Sequence, residues 1–214
     1  MYKKDTLSAL DAITEAQRIA FAPMLFQTAL SLRKAGTLEY LNTRGSEGAT
    51  LDEIAAHSSL NEYAISVLLD MGLSGRIMTC DDGRYFLSKV GHYLLHDTMT
   101  RVNMDFTQDV CYQGLFFLDN ALTESKPAGL KVFSDADTIY PVVSQLPSPA
   151  RESWFAFDHF YSDAAFNTVL PHIFNSHPKQ LYDVGGNTGK WALRCCQHDD
   201  AVKVTILDLS QQVA

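Results

Sequence analysis

The sequence is short of positive charge. Its 214 residues hold 17 lysines and arginines against 25 aspartates and glutamates, a formal net charge of −8. A protein whose main task is holding a phosphate backbone presents a basic face, so nucleic acid is excluded as the principal partner. Cysteine is scarce too: Cys80, Cys111, Cys195 and Cys196 are all there are. No Cys-x-x-Cys occurs and none has metal-ligand spacing with a histidine, so no metal site is expected. The four thiols read as buried and reduced. No apolar run approaches the roughly 20 residues of a membrane span. The opening string Met1-Tyr2-Lys3-Lys4-Asp5 lacks the apolar stretch of a signal peptide. No membrane contact and a cytoplasmic location are therefore expected. Internal repeats and low-complexity tracts are also absent.

What is there suits a folded protein with a sizeable core, at 46% hydrophobic residues. Residues 6–42 follow a helical pattern through Leu7, Leu10, Ile13 and Ala16, with Pro23 expected to interrupt it. The run from Phe21 to Leu41 is too apolar for a solvated face and is expected to pack on a second subunit or within its own domain. Residues 101–125 read as one helix that ends at Ser125-Lys126-Pro127. Residues 150–174 return to helical spacing, with a break expected at Pro171.

Between these lies a sharper pattern. Thr50 and Glu53 have capping-box spacing ahead of Leu51, Ile54 and Ala55. A turn at Ser58-Ser59-Leu60-Asn61 leads to a second helix, which Gly72 and Gly75 should end. Ile77 to Cys80 and Arg84 to Leu87 flank Asp81-Asp82-Gly83, a hairpin signal. Helix, turn, helix and hairpin make a winged helix. It does not read as a DNA reader. Residues 49–97 hold seven acids and three lysines or arginines, a balance of −4, and Asn61 to Met71 contains no base. A helix of that charge is repelled from the major groove.

The most informative string is Leu181-Tyr182-Asp183-Val184-Gly185-Gly186-Asn187-Thr188-Gly189-Lys190. A short apolar strand meets a glycine loop and then the start of a helix. Val202 to Leu207 form a second strand, and Asp208 follows Gly189 at its tip. This order opens a nucleotide-binding α/β domain. Glycine lets a backbone approach a ligand closely, and a carboxylate at the second strand's tip can accept both ribose hydroxyls of an adenosine. The loop does not fit the dinucleotide fingerprint, because neither Gly185 nor Gly186 is followed by glycines two and five residues on. Nor is it a P-loop, since Trp191 follows Gly189-Lys190. It fits acid-x-Gly-x-Gly-x-Gly, with Asn187 at the middle glycine. Asparagine is the commonest non-glycine visitor to positive φ.

These motifs together resemble the S-adenosylmethionine-dependent small-molecule O-methyltransferases of the caffeate and hydroxyindole type, with their bacterial relatives. Leu51-Asp52-Glu53-Ile54-Ala55 and Asp82-Gly83-Arg84-Tyr85-Phe86-Leu87 are similar to that family's dimerisation domain. Asp183 to Gly189 resembles its first cofactor motif, and Ile206-Leu207-Asp208-Leu209 its acid motif, with Ser210 where proline is usual. The resemblance implies a mainly α, winged-helix dimerisation domain over residues 1–100. A helical region over 101–180 and the first part of a Rossmann-like α/β methyltransferase domain over 181–214 would follow.

It further implies S-adenosylmethionine as cofactor, bound through Asp183, Gly185, Gly186, Asn187, Gly189, Asp208 and Leu209. A homodimer and a small-molecule methyl acceptor are implied as partners, with Phe157 and Tyr161 at the spacing of the family's substrate-facing residues. The family's general base would lie beyond residue 214. On that expectation the chain is a truncated enzyme, inactive by itself. A winged-helix regulator that senses a ligand and a non-catalytic dimerisation module are the alternatives.

Overall fold

The structure, a computed structural model, describes residues 5–210. Met1-Tyr2-Lys3-Lys4 of the opening string lies outside them. The chain divides into two compact units, Met1–Arg101 and Val102–Ala214.

The first unit begins with a long helix, α1 (Ala9–Lys34). Ser8 caps it by accepting the Asp11 amide, and Arg33 and Lys34 sit in the last turn, where the helix dipole favours cations. Pro23 lies inside α1 and does not interrupt it. The turns beyond it are held by packing: Thr28, Ala29, Leu30 and Leu32 are buried. Gly36, at φ 74°, turns the chain into α2 (Thr37–Arg44), which buries Leu38 and Leu41. The apolar run from Phe21 to Leu41 is thus split. Its second half is spent inside the unit. The exposed apolar residues lie further up α1, and Leu10, Ile13, Phe21 and Met24 fall on one stripe.

The expected capping box is present on α3 (Leu51–Ala56). The Thr50 amide donates to Glu53 Oε2 at 2.8 Å, and the Glu53 amide to Thr50 Oγ1 at 3.3 Å. The Thr50 amide, aided by Arg84 and Arg44, holds the Glu53 carboxyl below its ordinary range despite some desolvation. That part of the stability is present above the ordinary carboxylate range and fades as pH falls through the lowered value. Helix α4 (Glu62–Ser74) is capped by Asn61 and runs through Gly72 to Gly75. Gly72 does not stop it because it is buried against Leu32 and Met78, where a side chain would not fit. The hairpin pairs β1 (Met78–Asp81) with β2 (Arg84–Leu87), antiparallel, around Asp82 and Gly83, both at positive φ. Helix α5 (Lys89–His96) closes the unit over Leu95. Leu32, Leu38, Leu41, Ile54, Ile65, Leu69, Ile77 and Met78 form its core.

Helix α6 (Thr98–Phe106) carries the chain into the second unit. The single helix expected over 101–125 is broken there. A π-turn at Thr107–Cys111 and a 3-10 turn at Gly114–Phe117 precede α7 (Leu118–Glu124). Asp109 in the π-turn accepts a hydrogen bond from the buried Ser153 at 2.7 Å, so a tertiary partner holds the irregular turn. Ser153 belongs to α8 (Ala150–Phe174), which continues past Pro171 to Phe174. Buried Leu170 and Phe174 flank that proline.

Strand β3 (Gln180–Val184), α9 (Lys190–His198) and β4 (Lys203–Leu207) follow. The strands are parallel, with Val184 opposite Leu207. Leu170, Phe174, Cys195 and Val202 form the core beneath them, with Leu181, Trp191 and Val204 packed against it. Of the thiols, Cys195 is buried, and burial pushes it up to about 11. Cys80 and Cys196 are exposed, because one lies on a hairpin strand and the other on the outer face of α9.

Replacing Thr50 with alanine is expected to lower the stability of the first unit by about 1 kcal/mol, the usual value of a side-chain N-cap. Urea unfolding followed by circular dichroism would measure it.

Candidate functional site

The glycine loop leaves β3 at Val184. Gly185, Asn187 and Gly189 have φ of 73°, 49° and 74°. The left-handed region costs an ordinary side chain on the order of 1–2 kcal/mol, so this path selects glycine and asparagine. Gly186 is required for another reason. A Cβ there would lie 2.7 Å from Asp183 Oδ2 and 2.8 Å from Ile206 Cγ2. The Gly185 amide donates to Leu207 O at 2.8 Å, extending the strand ladder into the loop. The Asn187 amide donates to Asp208 Oδ2 at 2.7 Å, while Asp208 Oδ1 accepts the Leu209 amide at 2.7 Å. The acid at the tip of β4 and the loop after β3 thus hold each other.

Helix α8 supplies a second wall. Asn187 Nδ2 donates to Asp158 Oδ2 at 3.2 Å. Thr188 Oγ1 lies 3.1 Å from His159 Nε2, and His159 Nδ1 lies 3.2 Å from Asp163 Oδ1. An ionised Asp163 favours a proton on Nδ1, which leaves Nε2 to accept the Thr188 hydroxyl. Lys190 Nζ donates to Asp163 Oδ2 at 3.0 Å. Burial raises the Asp163 carboxyl. The bonds from Lys190, Ser162 and His159 outweigh it and hold the group below the usual carboxylate range. Asp183 shows the opposite balance. Burial and the nearby Asp208 charge raise its carboxyl, and only the Ala192 amide opposes them. Asp183 Oδ2 and Asn187 Oδ1 are buried without a hydrogen-bond partner.

Two adjoining cavities meet at Asp158, Gly185 and Asn187. One, of about 250 Å³, is bounded by Tyr140, Trp154, Phe155, Asp208 and Leu209. The other, of about 350 Å³, is bounded by His159, Asp163, Asp183, Thr188 and Lys190. An apolar, aromatic chamber beside the Asp208 carboxylate joins a polar chamber rich in carboxylates. That pair suits a ligand with a flat ring at one end and a charged, hydrogen-bonding tail at the other.

Residues 14–85 match the Dimerisation2-like domain. The L-tyrosine C(3)-methyltransferase of Streptomyces lavendulae is 24% identical over 195 residues, 89% of this chain and 52% of that protein. PigF with SAH superposes with a TM-score of 0.70 at 16% identity, over 96% of this chain and 60% of that one. The mitomycin 7-O-methyltransferase MmcR gives 0.68 at 14%, over 95% and 60%. The chain shares the fold of these methyltransferases. It spans about half to three-fifths of the length of these relatives.

Of the residues singled out from the sequence, Asp183, Gly185, Gly186, Asn187, Asp208 and Leu209 border the two cavities, and Gly189 sets the turn into α9. Phe157 and Tyr161 are placed elsewhere. Phe157 stacks on Phe106 at 4.1 Å between ring centroids, and Tyr161 donates its hydroxyl to Asn103. Both lie on the face of α8 toward α6. The α8 residues that reach the loop are Trp154, Phe155, Asp158, His159 and Asp163, which sequence reasoning passed over. The polar residues Asp158, His159, Ser162 and Asp163 recur at helical spacing, a stripe that could have marked the face.

Gly186→Ala is expected to destabilise the second unit by about 1–3 kcal/mol, since the added methyl overlaps Asp183 and Ile206. Gly185→Ala meets no atom and carries only the cost of its positive φ. Urea unfolding of the two variants side by side should separate them, with Gly186→Ala the worse.

Proposed function

We propose that the protein is an S-adenosylmethionine-dependent methyltransferase acting on a small molecule, with oxygen of a hydroxyl, on an aromatic or quinone-like ring, as the methyl acceptor. The observation that carries this reading is the shared hydrogen bond between the loop amide of Asn187 and the Asp208 carboxylate. It sets a carboxylate of the kind that suits ribose hydroxyls beside a cavity bordered by Gly185. The residues fit the cofactor: Gly185 leaves open space above the loop, and Asp183 and Asn187 carry buried acceptors that lack donors.

In this reading Asp208 receives the ribose hydroxyls. Leu209, Tyr140, Trp154 and Phe155 enclose the adenine end. Asp183, Asn187 and the residues of α8 bound the amino-acid end. When bound, S-adenosylmethionine supplies a methyl group made electrophilic by its sulfonium. The chain's part is to fix that group in line with the acceptor atom and to shield it from water. Transfer to a hydroxyl also requires a base for the departing proton.

The domain organisation follows the same reading: a winged-helix dimerisation domain over 1–100, a helical region over 101–180 and the opening of a Rossmann-like domain over 181–214. The homodimer is proposed through α1, where Leu10, Ile13, Phe21 and Met24 form an exposed apolar stripe. No helix among the described residues is long and apolar enough to cross a membrane, and no group of side chains among them could hold a metal ion.

Light scattering is expected to give twice the 23.8 kDa chain mass at micromolar concentration. Leu10→Glu with Ile13→Glu should halve it. A wild-type monomer would end the dimer proposal. For the cofactor, calorimetry should show S-adenosylhomocysteine binding, weakened by about 1.5–3 kcal/mol in Asp208→Ala through loss of charge-assisted hydrogen bonds. Binding of NAD in place of S-adenosylhomocysteine would show that the acid serves a dinucleotide.

A further inference from the structure

Helix α4 ends in a Schellman turn. The Arg76 amide donates to Leu73 O at 3.0 Å, and the Ile77 amide to Gly72 O at 2.8 Å. The residue that such a turn holds in the left-handed region is usually glycine. Here it is Arg76, at φ 56°. Glycine takes that backbone without strain and arginine does not, so the turn by itself gives no reason for the side chain. An ion pair gives none either. Among the described residues the Arg76 guanidinium has no hydrogen-bonding or ionic partner.

Lys89, the first residue of α5, is exposed and in the same condition. The fold ties the two cations together through the residue between them in space. The Ser88 hydroxyl is shared by the carbonyls of Arg76, at 2.7 Å, and Ile77, at 2.8 Å, and its oxygen accepts the Gly91 amide at 3.1 Å. The chain has 17 bases to set against 25 acids, so two neighbouring bases left without an acid stand out.

Arg76 and Lys89 border one open groove of about 510 Å³, which lies wholly in the first unit. Leu73, the buried Met78 and the exposed Val90 supply its apolar surface. Among the described residues no carboxylate borders it. Apolar surface favours an apolar occupant, and a pair of unpartnered cations favours an anion. A carboxylate answers the second demand, since a guanidinium receives it through two parallel hydrogen bonds. A ligand with several phosphates does not fit, because beyond the two cations the groove offers it mainly apolar surface.

We propose that this groove binds a small organic carboxylate with an apolar body, its carboxylate held by Arg76 and Lys89 and its body against Leu73, Met78 and Val90. The glycine loop belongs to the second unit, and the proposal does not depend on what that loop binds.

The exposed thiol of Cys80 also borders the groove and reports on it, while the exposed Cys196 of the second unit serves as the control. The test uses the whole chain with 4-phenylbutyrate and its neutral counterpart, 4-phenylbutanol. Millimolar 4-phenylbutyrate is expected to slow iodoacetamide labelling of Cys80 and to leave that of Cys196 unchanged, as read by mass spectrometry. Arg76→Asn suits the positive φ, so its combination with Lys89→Gln should melt no lower than wild type. By calorimetry that double variant should bind 4-phenylbutyrate about tenfold more weakly, as expected for lost charge-assisted hydrogen bonds, with 4-phenylbutanol within about twofold. No protection of Cys80, equal binding of the two probes by wild type, or equal weakening of both in the variant would overturn the proposal. So would protection of Cys80 that rises with protein concentration without any probe, which would place a second copy of the chain in the groove.

Discussion

The second unit is organised around one hydrogen bond, from the Asn187 amide to the Asp208 carboxylate at 2.7 Å. Parallel pairing sets Val184 opposite Leu207, so the ends of β3 and β4 leave the sheet side by side. The Gly185 amide continues the ladder to Leu207 O. The next segment is then free to curl over the tip of β4, and the acid there catches it. The loop's three positive-φ residues follow from that path. A cavity bordered by backbone and carboxylate results, on the side where the strand ends meet the start of α9.

Helix α8 completes the site through side chains. Asp158, His159 and Asp163 reach Asn187, Thr188 and Lys190 in the same order along both elements. Each contact lies near the surface and is individually weak. Their value is geometric, because several contacts in register fix where the helix lies against the loop. The opposite face of α8 carries Phe157 and Tyr161 into a ring cluster with Phe106. One helix therefore divides its labour between a polar face at the site and an aromatic face that holds it in place.

The first unit shows the same economy. Along α1 the apolar residues separate by position, with the C-terminal half buried under α2 and α4 and the N-terminal half exposed. The buried half gives the unit its core and carries the helix past Pro23. The exposed half is left as an apolar stripe, which favours association over isolation in water. The acidic α4, capped by Asn61 and without lysine or arginine, packs through Ile65 and Leu69 and offers nothing to a phosphate backbone.

Features set by neighbouring residues were legible from the sequence alone. The capping box at Thr50 and Glu53, the positive-φ turn at Asp82-Gly83 and the tolerance of Asn187 for a left-handed backbone are local steric and hydrogen-bonding preferences, which need no partner elsewhere. The order strand, loop, helix, strand, acid was legible for the same reason, since hydrophobic period and glycine placement act within a few residues. Only the tertiary structure decided matters that depend on distant groups. Pro23 and Pro171 do not break their helices, because burial of Leu30, Leu32, Leu170 and Phe174 outweighs a missing amide. The helix expected over 101–125 does break, because Ser153 captures Asp109 from 44 residues away. The direction of Phe157 and Tyr161, and the arrival of Asp158 and His159 at the loop, hang on the rotation of α8 about its axis. That rotation is set by which face finds the core, a choice made between elements and not within them.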